Sequence, residues 1–235
     1  MKIRLYSLIA AMALMLCASS VAVADEKLDA VEKELIKAWE KFESMTADVT
    51  MNMNMQGMTN KGTGTFEIDN KGGKDKFRME MNSEMDMGGQ KMTNTTSTVG
   101  DGEFVYSVNE AMGQKTAMKM KPGQGQASAP VGRQMFDSLK EQFDLKVLPD
   151  ETVDGDAAYV LEAKPKQSMG SPIAMMKMYF VKKHGIMVKM RGMDAAGTEV
   201  MTMDYKNVKI NPKIDASRFV FKAPEGVQVM DMTKQ

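Results

Sequence analysis

The residues here whose type and spacing suggest chemistry are thioethers. The 235-residue chain carries 28 methionines, one cysteine and one histidine. Met-x-Met recurs at 51–55, 79–81, 85–87, 118–120, 201–203 and 230–232. On a strand, side chains at i and i+2 share one face, about 6.6 Å apart. Three roles suit that pattern. Methionine fills irregular gaps in a core. Its unbranched, polarizable side chain also makes an adaptable surface for apolar cargo. Thioethers are soft ligands suited to Cu(I), and the loop-like stretch Met85-Asp86-Met87-Gly88-Gly89 is the best place for such an ion, with Met85 and Met87 as the alternative metal ligands.

Catalytic chemistry has less to build on. His184, in the turn Lys183-His184-Gly185, has no second histidine to pair with as base or ligand. Gly62-x-Gly64 and Gly72-Gly73 read as turns rather than phosphate cradles. No nucleophile motif appears. The expectation is a binding protein, not an enzyme, with no cofactor. Lys and Arg total 31, as do Asp and Glu, and no basic stripe is visible, so nucleic acid is not an expected partner.

The N-terminus has the pattern of an export signal. Lys2 and Arg4 precede an apolar run from Leu5 to Leu16, and Ala22-Val23-Ala24 forms a small-x-small cleavage site. Cleavage after Ala24 would send residues 25–235 to the periplasm as one domain. It would also remove Cys17, leaving a fold held by its core without disulfides. Leu14-Met15-Leu16 ahead of Cys17 is a poor lipid-attachment box.

The elements that must position the methionines follow from periodicity. Leu28, Val31, Leu35, Trp39 and Phe42 recur at helical spacing over 26–45. Period-two alternation begins at Ala47, with Val49, Met51, Met53 and Met55 on one face. It continues through Phe66 and Ile68, through Phe77, Met79 and Met81, through 91–99, through Phe104, Tyr106 and Val108, and through 115–120. A loop at 121–130 precedes a second helix over 131–143. Strands are expected at 144–148, 157–163, 174–181, 186–191, 198–210, 219–221 and 227–230. Short turns between consecutive strands imply an antiparallel sheet, and its apolar side must be covered by the two helices.

Four stretches carry a family resemblance. They are Phe42-Glu43-Ser44-Met45-Thr46-Ala47-Asp48-Val49; Lys61-Gly62-Thr63-Gly64-Thr65-Phe66 leading to Lys76-Phe77-Arg78-Met79; Val99-Gly100-Asp101-Gly102-Glu103-Phe104-Val105-Tyr106-Ser107-Val108; and 214–229, with Arg218-Phe219-Val220-Phe221 and Pro224-Glu225-Gly226. In this order the chain resembles the LolA-type periplasmic carriers of outer-membrane lipoproteins. The resemblance implies an α+β, mostly β fold, an unclosed curved antiparallel β-barrel with helices covering its concave face. It implies a monomer that holds lipoprotein or lipid acyl chains, loaded by an inner-membrane releasing complex and unloaded to an outer-membrane receptor. Related domains serve as lipoprotein receptors and envelope-stress sensors. The chain departs from the family at 69–74, where Asp69-Asn70-Lys71-Gly72-Gly73-Lys74 lacks the arginine that ties sheet to lid. Cavity aromatics are largely replaced by methionine.

The expected lipid cavity is lined by Met51, Met53, Met55, Phe66, Ile68, Phe77, Met79, Met81, Phe104, Tyr106, Met118, Met120, Met201 and Met203. The expected lid helix presents Val131, Met135, Phe136, Leu139 and Phe143.

Overall fold

The computed structural model describes residues 26–55, 57–71, 75–122, 133–167 and 172–234. The expected signal segment, Val131, the turn expected at Gly72-Gly73 and most of the loop expected at 121–130 lie outside them. A first helix, α1 (26–39), leads into six strands: β1 (Ser44–Met55), β2 (Met58–Asp69), β3 (Lys76–Met87), β4 (Gln90–Gly100), β5 (Val105–Ala111) and β6 (Gln114–Met120). Helix α2 (Arg133–Gln142) follows. Then come β7 (Phe143–Val153), β8 (Asp156–Pro165), β9 (Met175–Val181), β10 (Met187–Met193), β11 (Glu199–Ile210), a 3-10 turn (Ala216–Phe219) and β12 (Val229–Asp231).

All the strands join one 12-stranded sheet in the order β12-β6-β5-β4-β3-β2-β1-β11-β10-β9-β8-β7. Every pairing is antiparallel except β12 with β6. Long hairpins close through tight turns, such as Gly88-Gly89 between Met87 and Gln90. The two edges, β7 and β12, do not meet, so the sheet is an unclosed curved barrel. The β1–β11 pair breaks register between Thr46 and Asp48, beside Asn207 at φ 52°. Such bulges bend a sheet.

Both helices pack on one face of the sheet, called here the inner face. Val31, Leu35 and Trp39 of α1 and Phe136 of α2 join one core with Ala47, Val49, Phe66, Ile68 and Phe77. The Trp39 indole donates to the Gly185 carbonyl at 2.9 Å, fastening α1 to the β9–β10 turn. Gly185 is required there twice over. Its φ is +70°, and a Cβ would stand 3.0 Å from Trp39 Nε1 and 3.1 Å from Ala38 Cβ. The helices hold each other through Trp39 and Phe136, with ring centroids 6.4 Å apart, and through a Lys140–Glu32 ion pair at 2.8 Å.

The C-terminal segment takes the other face. Asp215 caps the 3-10 turn, and Arg218 reaches Glu67 of β2 at 2.9 Å. Arg78 donates to the Arg218 carbonyl at 3.2 Å, and Phe221 stacks on Tyr106 with centroids 4.4 Å apart. The strand expected at 219–221 is therefore corrected. Phe219 closes a 3-10 turn and is buried, while Val220 points to solvent. No neighbouring strand edge is free at that point, because this segment crosses the sheet's face. Phe143 is also corrected: α2 ends at Gln142, and Phe143 opens β7 opposite Pro165.

A close approach holds the barrel wall together near the lid. A Cβ on Gly100 would lie 2.4 Å from the Phe77 ring, which is laid flat across β4. Gly100→Ala is expected to destabilise the protein by about 1–3 kcal/mol, read as a lower urea midpoint. Much of that loss should return in the Gly100→Ala/Phe77→Leu double variant.

Candidate functional site: a charge-free inner face

Strand register decides which side chains meet. Side chains alternate across a strand, and paired residues share a face. Starting from Val49, the inner face runs through Tyr205 on β11 and through Gly64 and Met81 on β2 and β3. Traced across all pairs, it contains no charged residue among the described residues. Every Asp, Glu, Lys and Arg in the registered pairs lies on the outer face. Facing pairs such as Glu67↔Arg78, Asp86↔Lys91, Lys189↔Asp204 and Glu162↔Lys177 are all outside.

Methionines occupy the inner face in rows. Met178, Met190, Met203 and Met51 stand side by side across β9, β10, β11 and β1. The next row holds Met176, Met201, Met53, Met85 and Met92, broken by Gly192 and Asn60. Beyond it come Met55, Met58 and Met87. Glycines make room for these long side chains. A Cβ on Gly62 would stand 2.9 Å from the Met81 methyl and 3.7 Å from the Met51 methyl, so both thioethers lie over β2.

Burial is graded along the strands. Near the helices, Met45, Val49, Phe66 and Ile68 are buried, and Phe66 meets Tyr205 edge-on at 5.9 Å. Further out, Met51, Met53 and Met55 are half-buried. At the hairpin ends Met58 and Met87 are 38% and 42% exposed. The helices thus cover one end of an apolar face that continues past them.

The expected cavity residues divide on this geometry. Met51, Met53, Met55, Phe66, Ile68, Phe77, Met79, Met81, Met118, Met120, Met201 and Met203 share the inner face. Tyr106 does not. It pairs with Val99 and Lys119 on the outer face, beneath Phe221. Phe104 precedes β5, and Lys119 Nζ sits 3.5 Å above its ring. The period-two pattern from Phe104 was real, but the alternate member Val105 is the one turned inward. Met85-Asp86-Met87 is also corrected from loop to strand: it ends β3, with Met85 opposite Met92 and Met87 opposite Met58. On the lid, Phe136 is buried, and Met135 and Leu139 pack against the core. Sequence reading missed Met92, Met176, Met178 and Met190. All four stood in stretches read as strands with no face assigned to them.

Among the described residues, a cleft of about 730 Å³ opens on the outer face by Asp48, Glu67 and Arg218, and clefts of about 370 and 290 Å³ flank the β9–β10 turn and α1. His184 lines both of the smaller ones. Burial, reinforced by Lys183, lowers its pKa to about 4. Its Nδ1 accepts from the Ile186 N–H at 3.1 Å, a bond that the neutral ring alone can make. Among the described residues, no cluster of His, Cys, Asp and Glu could hold a metal.

The fold and this face define an unclosed-barrel domain with a charge-free inner face among the described residues. No family model matches the sequence. An outer-membrane lipoprotein carrier protein of Bordetella avium is 26% identical over 230 residues, spanning 96% of this chain and 97% of that one. An uncharacterised protein of Methanocaldococcus jannaschii is 29% identical over 202 residues, spanning 86% of this chain. The chain covers only 53% of that protein's length. Among solved structures, MucB shares the fold, with TM-score 0.50 and 14% identity over 89% of this chain and 66% of MucB.

His184 supplies a pH test. Its folded pKa lies below the unfolded value of about 6.5, so the unfolded chain takes up a proton first as pH falls. Its contribution is complete above pH 6.5 and is lost between there and about 4. The His184→Gln variant should lose less stability than the parent over that window, measured by thermal melts at matched ionic strength.

Proposed function

We propose that this chain is an exported periplasmic carrier that sequesters acyl chains of lipoproteins or lipids on its methionine face, for delivery toward the outer membrane. Residues 1–24 act as the removed signal, and 25–235 form the working domain. The observation that carries the reading is the complete segregation of charge to the outer face, with thioethers in rows inside. Burying an acyl chain is favourable by about 0.8 kcal/mol per CH₂. A face without charge imposes no cost of desolvating ions against that gain.

The gradient of burial supports a route. Chains enter at the half-exposed hairpin ends, where Met53, Met55, Met58, Met85 and Met87 lie, and extend toward the lid. The lid side chains Met135, Phe136 and Leu139 give way as the chains replace their contacts. Flexible thioethers repack around cargo of different lengths. An inner-membrane releasing complex and an outer-membrane receptor would load and unload a monomer. The full-length similarity to a lipoprotein carrier supports this reading.

Native mass spectrometry of protein recovered from periplasm should show lipid or acyl-peptide adducts. Met53→Asp with Met85→Asp should abolish them and weaken fluorescent fatty-acid binding at least tenfold, with melting temperature little changed because both sites are half-buried. Clean apo protein that ignores acyl probes would sink the reading.

A second reading draws on the row Met55, Met58 and Met87, whose outer two pair directly with Met58 on adjacent strands. Three thioethers so placed suit Cu(I). Stoichiometric Cu(I) uptake against a micromolar chelator, lost in Met58→Leu/Met87→Leu, is the expected result. No uptake ends this reading.

A further inference from the structure

The inner face is not uniformly apolar. Across β9, β10, β11 and β1 it is methionine. Across β4, β5 and β6 the same face, beside Met92, Val105, Met118 and Met120, carries Asn94, Thr96, Ser107, Asn109 and Thr116. These side chains are uncharged and hydrogen-bonding. Two acceptors on this face are left without partners. Oδ1 of Asn60 and Oδ1 of Asn94 are closed off from solvent and accept no hydrogen bond. Asn60 stands between Met53 and Met85. Asn94 stands opposite Ser83, one step along and two strands away from Asn60, about 12 Å by strand spacing. Ser83 spends its hydroxyl on the Asn94 backbone carbonyl at 3.4 Å, which leaves the carboxamide oxygen unanswered. Buried acceptors without donors disfavour the folded state, and native proteins contain few of them.

We infer that Asn60 and Asn94 receive hydrogen bonds from the polar end of the cargo. This rests on the carrier reading and narrows it. The ligand is an acylated molecule whose head is uncharged and donates hydrogen bonds, through an amide N–H or a hydroxyl. The methionine rows take the chain, and the carboxamides at their margin take the head. A fatty-acid carboxylate fits poorly. It only accepts hydrogen bonds when ionised, and among the described residues no cation of the sheet stands on this face to pair with it. The amide of an acylated peptide and the hydroxyls of an acylglycerol share the required chemistry.

Four probes test this by fluorescence displacement from the wild-type protein: an N-palmitoyl neutral dipeptide amide, its fully N-methylated counterpart, monopalmitoylglycerol and palmitate. The dipeptide, the glycerol lipid, or both should bind roughly tenfold more tightly than the N-methylated peptide and palmitate, about the effect of one buried hydrogen bond. Preference for the dipeptide alone makes the head an acylated peptide, and preference for the glycerol lipid alone makes it an acylglycerol. Asn60→Leu and Asn94→Leu should erase that gap while leaving palmitate affinity unchanged, and should melt no lower than the parent. If a variant does not fold, the wild-type comparison of the peptide with its N-methylated form decides alone. Equal binding of all four probes overturns the inference and leaves the carrier reading standing, as does a gap that both Leu variants retain. Failure of every probe to bind wild type overturns both.

Discussion

Alternation of side chains along a strand, combined with unbroken pairing across a wide sheet, is the constraint from which the rest follows. A slip of one residue would turn a strand's whole inner set outward. Here a slip of β3 would turn Glu80, Glu84 and Asp86 onto the inner face in place of Met79, Met81 and Met85. Burying unpaired carboxylates is far costlier than losing a few apolar contacts. Charge therefore holds the register from outside while methionine fills from inside. Outer pairs such as Glu67↔Arg78 and Lys61↔Glu84 reinforce the same alignment.

The two faces are closed by different devices. Inside, α1 and α2 cover only the end of the sheet nearest the β9–β10 turn, where Trp39 is fastened to Gly185. Outside, the C-terminal segment crosses the sheet and is held by Arg218–Glu67, by the Phe221–Tyr106 stack and by the parallel pairing of β12 with β6. Neither device covers the hairpin ends of β1–β4. That division leaves a rigid wall, a partly covered floor and an open approach to it. Among the described residues the helices are tied by the Trp39–Gly185 indole hydrogen bond, the Lys140–Glu32 ion pair and the Lys166 ammonium, which donates to the Lys140 carbonyl at 2.6 Å, together with burial of Leu35, Trp39 and Phe136.

Methionine in place of aromatic side chains alters what the inner face can do. A ring holds one shape, as Phe77 does over Gly100. A thioether chain has three rotatable bonds and reaches over neighbouring strands, as Met51 and Met81 do over Gly62. Such a surface packs upon itself, which accounts for an inner face that is filled near the helices and half-exposed beyond them.

Much of this was legible in the residues. Period-two runs at 47–55 and 77–82, helical stripes at 28–42 and 135–139, and turn pairs such as Lys183-His184-Gly185 mark the elements, because local spacing decides which side of an element is apolar. Their spacing also determined that Met51, Met53 and Met55 share a face. What the residues alone left open was the relation between elements. Tyr106 and Val105 are both apolar enough to face inward, and only pairing with β4 and β6 turned Val105 in and set Tyr106 beneath Phe221. Phe219-Val220-Phe221 looked like a strand because β-branched and aromatic residues favour one, but no free edge awaited it. The rows Met178-Met190-Met203-Met51 join residues far apart in the chain, and the unpaired carboxamide oxygens of Asn60 and Asn94 exist only once β1 to β5 are in register. Spacing within a segment is written locally, whereas neighbours across a sheet are decided by the non-local contacts that tertiary structure alone brings together.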